Sequence, residues 1–143
     1  MNQIDLKGRK AVVTGGAQGI GFSIASRLIA SGATLSLWDR DEPLLNKART
    51  ELSLRGEVSS EVVDVASAES VRNATTSALK KHGRIDILVA NAGIAGPNLK
   101  AWEYPLDAWK QVIDINLTGV FLCCSAIIPY LLQQNYGRIV NVA

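Results

Sequence analysis

The stretch that decides the fold is T-G-G-A-Q-G-I-G, residues 14–21. It joins a short apolar run at residues 9–14 to a segment in which apolar residues recur at helical spacing from Ile20 to Ile29. A chain needs glycine where φ is positive or where the backbone must approach another group closely. A strand that turns through several glycines into a helix is typical of the first unit of a parallel α/β sheet.

Strand-like and helix-like segments alternate along the rest of the chain. Apolar runs predict four further strands, at residues 33–38, 58–63, 85–90 and 136–143. Helical patterns follow the capping residues Asp41 and Ser67, and a long one covers about residues 106–134. This alternation favours right-handed βαβ crossovers. We therefore predict an α/β fold with a doubly wound parallel sheet, in a single domain of residues 1–143.

The composition suits a globular chain without a polyanionic partner. Of the 143 residues 48% are hydrophobic, and the basic residues behind the net charge of +2 are scattered. Nucleic-acid and anionic-membrane surfaces need clustered basic residues, so neither partner is predicted. The N-terminus has no apolar stretch of signal-peptide length. The most apolar segment, residues 119–132, is interrupted by Ser125 and Pro129 and is shorter than the ~20 residues of a membrane span.

The two cysteines, Cys123 and Cys124, are neighbours in a helical segment. On a helix their side chains point about 100° apart, so we expect two free thiols rather than a disulfide. Free thiols fit a reducing compartment, and we predict a cytoplasmic protein. No metal site is predicted.

The glycine turn also indicates a ligand. The helix that follows it offers unpaired N–H groups and the positive end of its dipole to a pyrophosphate. Asp39 ends the second predicted strand, 18 positions after Gly21, where a carboxylate accepts from a ribose 2′-OH. Such a carboxylate repels a 2′-phosphate, so NAD is favoured over NADP, although a guanidinium at Arg40 would suit NADP. A purely structural role for the turn and for Asp39 stays open on these residues alone.

Further motifs follow in order. The glycines are spaced as T-G-x-x-x-G-x-G, D-V stands at residues 64–65 and N-A-G at residues 91–93. N-L-T-G follows at residues 116–119, and G-R-I-V-N-V lies in the last strand. Together these motifs resemble the short-chain dehydrogenase/reductase family along the whole chain. The sequence is similar to its 3-oxoacyl-carrier-protein reductases and its sugar and polyol dehydrogenases, which implies a Rossmann fold.

The resemblance implies a cofactor role for each matching position. Asp39 would hold the adenosine ribose. Asp64 and Val65 would flank the adenine. The residues implied at the pyrophosphate are Gly15, Gln18, Gly19, Ile20 and Gly21, and those implied at the nicotinamide ribose are Asn91, Ala92 and Gly93.

Asn116 is the one catalytic candidate that the resemblance places in this sequence, where it would help hold a water in a proton relay. From the residues alone it is an amide on the apolar face of a long helix. Burying it without a partner would cost ~1–3 kcal/mol. A core amide that ties the helix to a neighbouring strand is therefore an equally good interpretation.

The family's hydride chemistry uses a serine just after the last strand and a Tyr-x-x-x-Lys on the next helix. Ala143 is the final residue given, and no tyrosine here has a lysine four positions on. We therefore expect the cofactor-binding portion of a larger protein, with the sheet incomplete at its C-terminal side.

The resemblance implies an NAD(P)-dependent oxidoreductase that moves a hydride between the cofactor and a secondary alcohol or ketone, such as a 3-oxoacyl thioester or a sugar or polyol. It also implies a homodimer or homotetramer. Alternatives are a catalytically inactive dinucleotide-binding or interaction module, and a methyltransferase with the same half-fold, against which the N-A-G and N-L-T-G motifs argue.

Several aromatic and titratable residues are given structural roles. His82 stands at a helix C-terminus, where a basic residue compensates the dipole. Trp102 and Tyr104 are expected to pack in a loop against the long helix, with substrate contact as the alternative. Residues expected in the core, or partly in a subunit interface, are Trp109, Val112 and Phe121.

Overall fold

The five strands form one parallel sheet in the order β3-β2-β1-β4-β5. The computed structural model describes residues 2–143. The strands are β1 Lys10–Thr14, β2 Thr34–Asp39, β3 Val58–Val62, β4 Ile87–Ala90 and β5 Arg138–Asn141. All neighbouring strands pair in parallel, so each connection crosses over the sheet. The predicted doubly wound Rossmann-type sheet is confirmed.

Five α-helices lie within the described residues. They are α1 Gly19–Ala30, α2 Glu42–Ser53, α3 Ala68–His82, α4 Leu106–Ile113 and α5 Gly119–Gln133. Asp41 caps α2 by accepting from the Leu44 N–H at 3.0 Å, and Ser67 caps α3 by accepting from the Ser70 N–H. Gly83 ends α3 in the left-handed region with φ of 78°, which a glycine adopts without steric cost.

The helices cover the sheet on both faces, and each face has its own core. On one face α1 and α2 pack through Ala25, Ile29, Leu45 and other apolar residues against β1 and β2. On the other face α3 and α5 pack on β1, β2 and β4. Because β4 is covered on both faces, all four of its residues are buried. This burial explains its unbroken apolar sequence.

The long helical pattern is one continuous run with a change of geometry in it. Between α4 and α5 the residues Asp114–Thr118 form a π-helical turn. Such a turn holds one residue more than an α-helical turn, and it therefore rotates the buried face of the helix. The expectation that Trp109 and Phe121 lie in the core is wrong, since they are 56% and 64% exposed, and Val112 is half-buried.

The residues of α5 that enter the core are instead Cys123, Ile127 and Leu131, one helical turn apart. Joined to α4, the helix covers Leu106–Gln133. Within residues 2–143 this 28-residue segment is the one helix long and apolar enough to cross a membrane by length and composition. The apolar segment at residues 119–132 lies in α5, which at 15 residues is itself shorter than a membrane span, as expected; the longer run includes α4 and the π turn.

A buried carboxylate organises the edge of the sheet at which the strands begin. Asp86 is fully buried just before β4 and accepts from the Lys10 N–H at 2.9 Å. Arg84 donates Nε–H to Asp86 at 2.9 Å, and Arg9 lies 3.5 Å away across the sheet. The Asp86 backbone pairs with Lys10 on one side and Arg138 on the other. Through its carboxylate and its backbone together, Asp86 therefore joins three neighbouring chain segments.

We expect Asp86→Ala to lower the free energy of unfolding by about 2–4 kcal/mol, since it removes a buried acceptor and leaves two guanidinium groups without their partner. Urea unfolding followed by circular dichroism measures the change. Glu51→Gln is the matched control, because Glu51 is exposed on α2, and its effect should stay within about 0.5 kcal/mol. Equal stability of the two variants would contradict this account of Asp86.

Candidate functional site

A cleft of about 360 Å³ opens at the carboxyl ends of the strands. It lies where the strand order reverses between β1 and β4, the position at which open α/β sheets bind ligands. Every residue predicted to contact a cofactor lines it, except Gly19 and Gly21. The cleft brings these residues together from four separate segments: Gly15, Gln18, Ile20; Asp39; Asp64, Val65; Asn91, Ala92 and Gly93.

The glycine turn is built by two different requirements. Gly15 and Gly19 have φ values of 63° and 57°, so their conformation calls for glycine. Gly21 is required by space, because a Cβ there would lie 2.1 Å from the Gly15 carbonyl oxygen. Gln18 is the N-cap residue of α1, and its side chain makes no capping hydrogen bond. The N-terminus of α1 is therefore left to be satisfied by solvent or a ligand.

Asp39 stands at the end of β2 beside this turn. Its Oδ2 accepts from the Ala17 N–H and its Oδ1 from the Asp41 N–H, both at 3.1 Å. The residue is half-buried and still faces the cleft. Arg40 also lines the cleft and is exposed. Asp39 and Arg40, the two charged residues that the sequence analysis considered for the choice between NAD and NADP, therefore both line the cleft.

On the same side of the cleft, Asp64 and Val65 follow β3. Asp64 is exposed and accepts from the Ala66 N–H at 3.0 Å, while Val65 is buried. The loop therefore presents a carboxylate next to an apolar wall. This arrangement suits a flat heterocycle that carries a polar edge.

Asn91 binds the end of β4 to the end of β1. Its Nδ2 donates to the Thr14 and Gly15 carbonyl oxygens at 3.1 and 3.3 Å. The buried Thr14 hydroxyl oxygen in turn accepts from the N–H groups of Asn91 and Ala92 at 2.9 and 3.0 Å. These contacts hold the glycine turn against the N-A-G segment.

Asn116 lies in the π turn and grips the loop that follows β4. Its Oδ1 accepts from the Ile94 N–H and its Nδ2 donates to the Ile94 carbonyl oxygen, both at 2.8 Å. A Cβ on Gly93 would lie 3.2 Å from this Oδ1. The alternative of a core amide bonded to a strand is corrected: the residue is exposed, and its partner is a loop. Its catalytic role stays a prediction.

Sequence reasoning missed four residues that line the cleft. Trp38 is the next-to-last residue of β2, beside the predicted Asp39, and Val63 follows β3, beside the predicted Asp64; both are buried. Their position at strand ends was a usable signal. Ile94 and Ile115 also line the cleft; Asn116, which follows Ile115 in the chain, binds the Ile94 backbone. No sequence signal placed these two together.

The residues given structural roles lie away from the cleft lining. His82 ends α3, and its Nε2 and Nδ1 lie 2.7 Å from Ser59 Oγ and 3.1 Å from Glu57 Oε1. Tyr104 packs edge-on against Trp109 in α4, with ring centroids 6.4 Å apart. Trp102 instead is 80% exposed, with the Lys100 ammonium 5.4 Å from its ring centroid. The expected loop packing therefore holds for Tyr104 and is wrong for Trp102.

The family model for short chain dehydrogenases matches residues 9–143. The chain belongs to the short chain dehydrogenase family. The match extends from just before β1 through β5, and it includes every motif that carried the resemblance.

Individual relatives agree with this assignment. The chain is 41% identical to the 2-dehydro-3-deoxy-L-rhamnonate dehydrogenase (NAD(+)) of Sphingomonas sp. over 95% of its own length and 53% of that protein. It is 39% identical to a 3-oxoacyl-acyl-carrier-protein reductase of Chlamydia pneumoniae, over 98% of its length and 56% of that protein. The chain thus spans about half the length of these curated relatives.

Solved structures are equally close. An NAD+-bound xylitol dehydrogenase superposes with a TM-score of 0.95 at 37% identity, covering 96% of this chain and 54% of that one. A levodione reductase gives a TM-score of 0.93 at 33% identity, covering 96% of this chain and 55% of the other.

Alanine at the two glycines should separate conformation from space. We expect Gly19→Ala to cost about 1–2 kcal/mol, since the new Cβ meets no atom within 4 Å and only the left-handed φ is penalised. Gly21→Ala should cost about 3 kcal/mol or more, because the new Cβ would overlap the Gly15 carbonyl oxygen and Asn91 Nδ2. Urea unfolding of both variants measures the order, and a larger loss for Gly19→Ala would contradict this interpretation.

The two thiols should differ in reactivity. Burial, and secondarily Cys124, raises the pKa of Cys123 to about 12, while burial also raises the pKa of Cys124. Because the thiolate is the reactive form, we expect an aromatic disulfide reagent at pH 8 to label half-buried Cys124 before buried Cys123. Mass spectrometry of partially labelled folded protein locates the modification, with urea-unfolded protein as the control. Faster labelling of Cys123 would contradict this order.

Proposed function

We propose that this chain is the cofactor-binding part of an NAD-dependent dehydrogenase that interconverts a secondary alcohol and a ketone. The observation that carries the proposal is the cleft at the switch point, where the glycine turn, Asp39, Asp64 and the N-A-G segment converge. Membership of the short chain dehydrogenase family supports it. We further propose that residues 1–143 act as one domain.

The residues around the cleft fit a dinucleotide. The first turn of α1, from Gly19, would bind the pyrophosphate through its N–H groups. Asp39 would accept from the adenosine ribose, while Val65 and Asp64 would contact the adenine face and edge. Asn91, Ala92 and Gly93 would border the nicotinamide ribose. NAD, when bound, supplies the acceptor for the hydride.

NAD suits this site better than NADP because the Asp39 carboxylate would lie near a 2′-phosphate. The names of two relatives, one containing NAD(+) and one containing NAD+-bound, support the same choice. Arg40 is the residue that would favour NADP. The Arg40 side chain is exposed, whereas Asp39 is bonded to the glycine turn, so we base the choice of NAD over NADP on Asp39.

The proton chemistry needs residues beyond those described. An unperturbed tyrosine has a pKa near 10 and needs help to act near neutrality. We propose that a serine and a Tyr-x-x-x-Lys supply this step from the part of the relatives' length that this chain does not span. Asn116 would assist by holding the Ile94 loop and, through it, a water molecule near the nicotinamide end of the cleft.

The printed names of the relatives support a substrate class for the proposed enzyme. We propose a small hydroxylated or oxo substrate of the sugar-acid, polyol or 3-oxoacyl thioester class, and a cytoplasmic enzyme without nucleic-acid or membrane partners. The exposed apolar side chains of the long helix, such as Trp109 and Phe121, would be covered in a homodimer or homotetramer.

Isothermal titration of the purified protein with NAD and NADP tests the cofactor choice. We expect NAD to bind about tenfold tighter or more, the size expected for one favourable and one unfavourable charged contact. A screen of sugar acids, polyols and 3-oxoacyl thioesters for NADH formation or consumption then tests the reaction, with the full-length protein that carries the proposed serine and Tyr-x-x-x-Lys. Tighter binding of NADP would contradict the role given to Asp39. NAD binding without hydride transfer to any member of the panel would favour an inactive dinucleotide-binding module.

A further inference from the structure

The Asp39 carboxylate makes contacts that have no connection with a ribose. Its Oδ2 accepts from the Ala17 N–H, in the middle of the glycine turn, at 3.1 Å. The neighbouring Gly16 N–H donates to the Trp38 carbonyl oxygen at 3.2 Å. Two successive residues of the turn are thus bound to the last two residues of β2, one through a backbone oxygen and one through a side chain.

The Asn91 contacts hold the turn at Thr14 and Gly15, and the part of the turn that follows Ala17 has few restraints of its own. Gln18 gives α1 no side-chain cap, and Gln18, Gly19 and Ile20 are exposed. Glycine has the largest conformational freedom of all residues, so a turn with several glycines needs outside contacts to keep one shape. Ala17 is where the turn is buried, at 8% exposure, and its N–H is satisfied by Asp39.

We propose that Asp39 is a positioning residue for the glycine turn: its carboxylate holds Ala17 so that the first turn of α1 is arranged for a phosphate group before any ligand arrives. A site that is already ordered loses less entropy on binding and binds more tightly. The identity of the ligand as a dinucleotide rests on the proposed function, but the contact itself does not.

A consequence for cofactor choice follows. The carboxylate that would disfavour a 2′-phosphate also orders the pyrophosphate site. Removing it therefore relieves a repulsion and loosens the turn in the same step. A change of Asp39 alone should consequently give a poor site for NADP as well as for NAD, in contrast to a residue that only contacts the ribose.

Amide hydrogen exchange in the ligand-free protein tests the contact directly. We expect the Ala17 N–H to exchange about tenfold faster in Asp39→Ala than in the unchanged protein, since it loses its acceptor. Asp41→Asn is the matched control, because it removes one charge two positions away and keeps an acceptor for the Leu44 N–H. In Asp41→Asn the Ala17 N–H should exchange at the same rate as in the unchanged protein. Equal protection of Ala17 in Asp39→Ala and the unchanged protein would overturn the proposal.

Asp39→Asn covers the case in which Asp39→Ala does not fold cooperatively. Its single amide oxygen can replace only one of the two carboxylate oxygens, so exchange at Ala17 or at Asp41 should still accelerate. Unchanged exchange at both positions in this variant would also overturn the proposal.

Nicotinamide mononucleotide separates positioning from ribose contact, because it carries a phosphate but no adenosine. We expect Asp39→Ala to bind it about tenfold more weakly in an NMR titration, and Asp41→Asn to bind it like the unchanged protein. Unchanged affinity in Asp39→Ala would overturn the positioning role. Failure of the unchanged protein to bind either this probe or NAD would instead count against the proposed function, and the exchange experiment would still decide the role of Asp39.

Discussion

The close approach of Gly21 to the Gly15 carbonyl oxygen is the constraint on which the rest of the structure depends. A Cβ at Gly21 would lie 2.1 Å from that oxygen and 2.5 Å from Asn91 Nδ2. Only with glycine there can α1 begin directly against the end of β1. Asn91 can then reach the Thr14 and Gly15 carbonyl oxygens and fix the end of β4. One turn therefore positions a strand, a helix and the loop that follows a second strand.

Much of this arrangement could be predicted from sequence because its causes are local. Buried parallel strands have continuous apolar runs, as β4 does, and Asp41 and Ser67 mark helix starts through short-range hydrogen bonds. The cofactor candidates were predictable for a related reason. They stand at the carboxyl ends of strands, and the topology of a parallel sheet brings those ends to one edge.

The rest depends on contacts between distant segments. Apolar residues of the long helix suggested a core position for Trp109 and Phe121, but α4 has no buried residue, and the side chains that α5 buries after the π turn include Cys123 and Ile127. The same turn directs Asn116 to the backbone of Ile94, 22 positions earlier. Helical periodicity carries no information about one extra residue in a turn, and motif spacing does not identify a backbone partner in a loop.

Polar groups have different roles at the two ends of the parallel strands. At the amino ends of the strands the buried Asp86 is surrounded by donors from Lys10, Arg9 and Arg84. Its hydrogen bonds are therefore made within the chain and contribute to stability. At the carboxyl ends of the strands α1 lacks a side-chain cap, and the Asp39 carboxylate accepts from backbone N–H groups of the surrounding loops. A polar group whose hydrogen bonds are made within the chain stabilises the fold. A helix N-terminus without a side-chain cap keeps unpaired N–H groups, to which a ligand can bind. This difference is consistent with the predicted binding residues lying at the carboxyl ends of the strands and the Asp86 ion pairs at their amino ends.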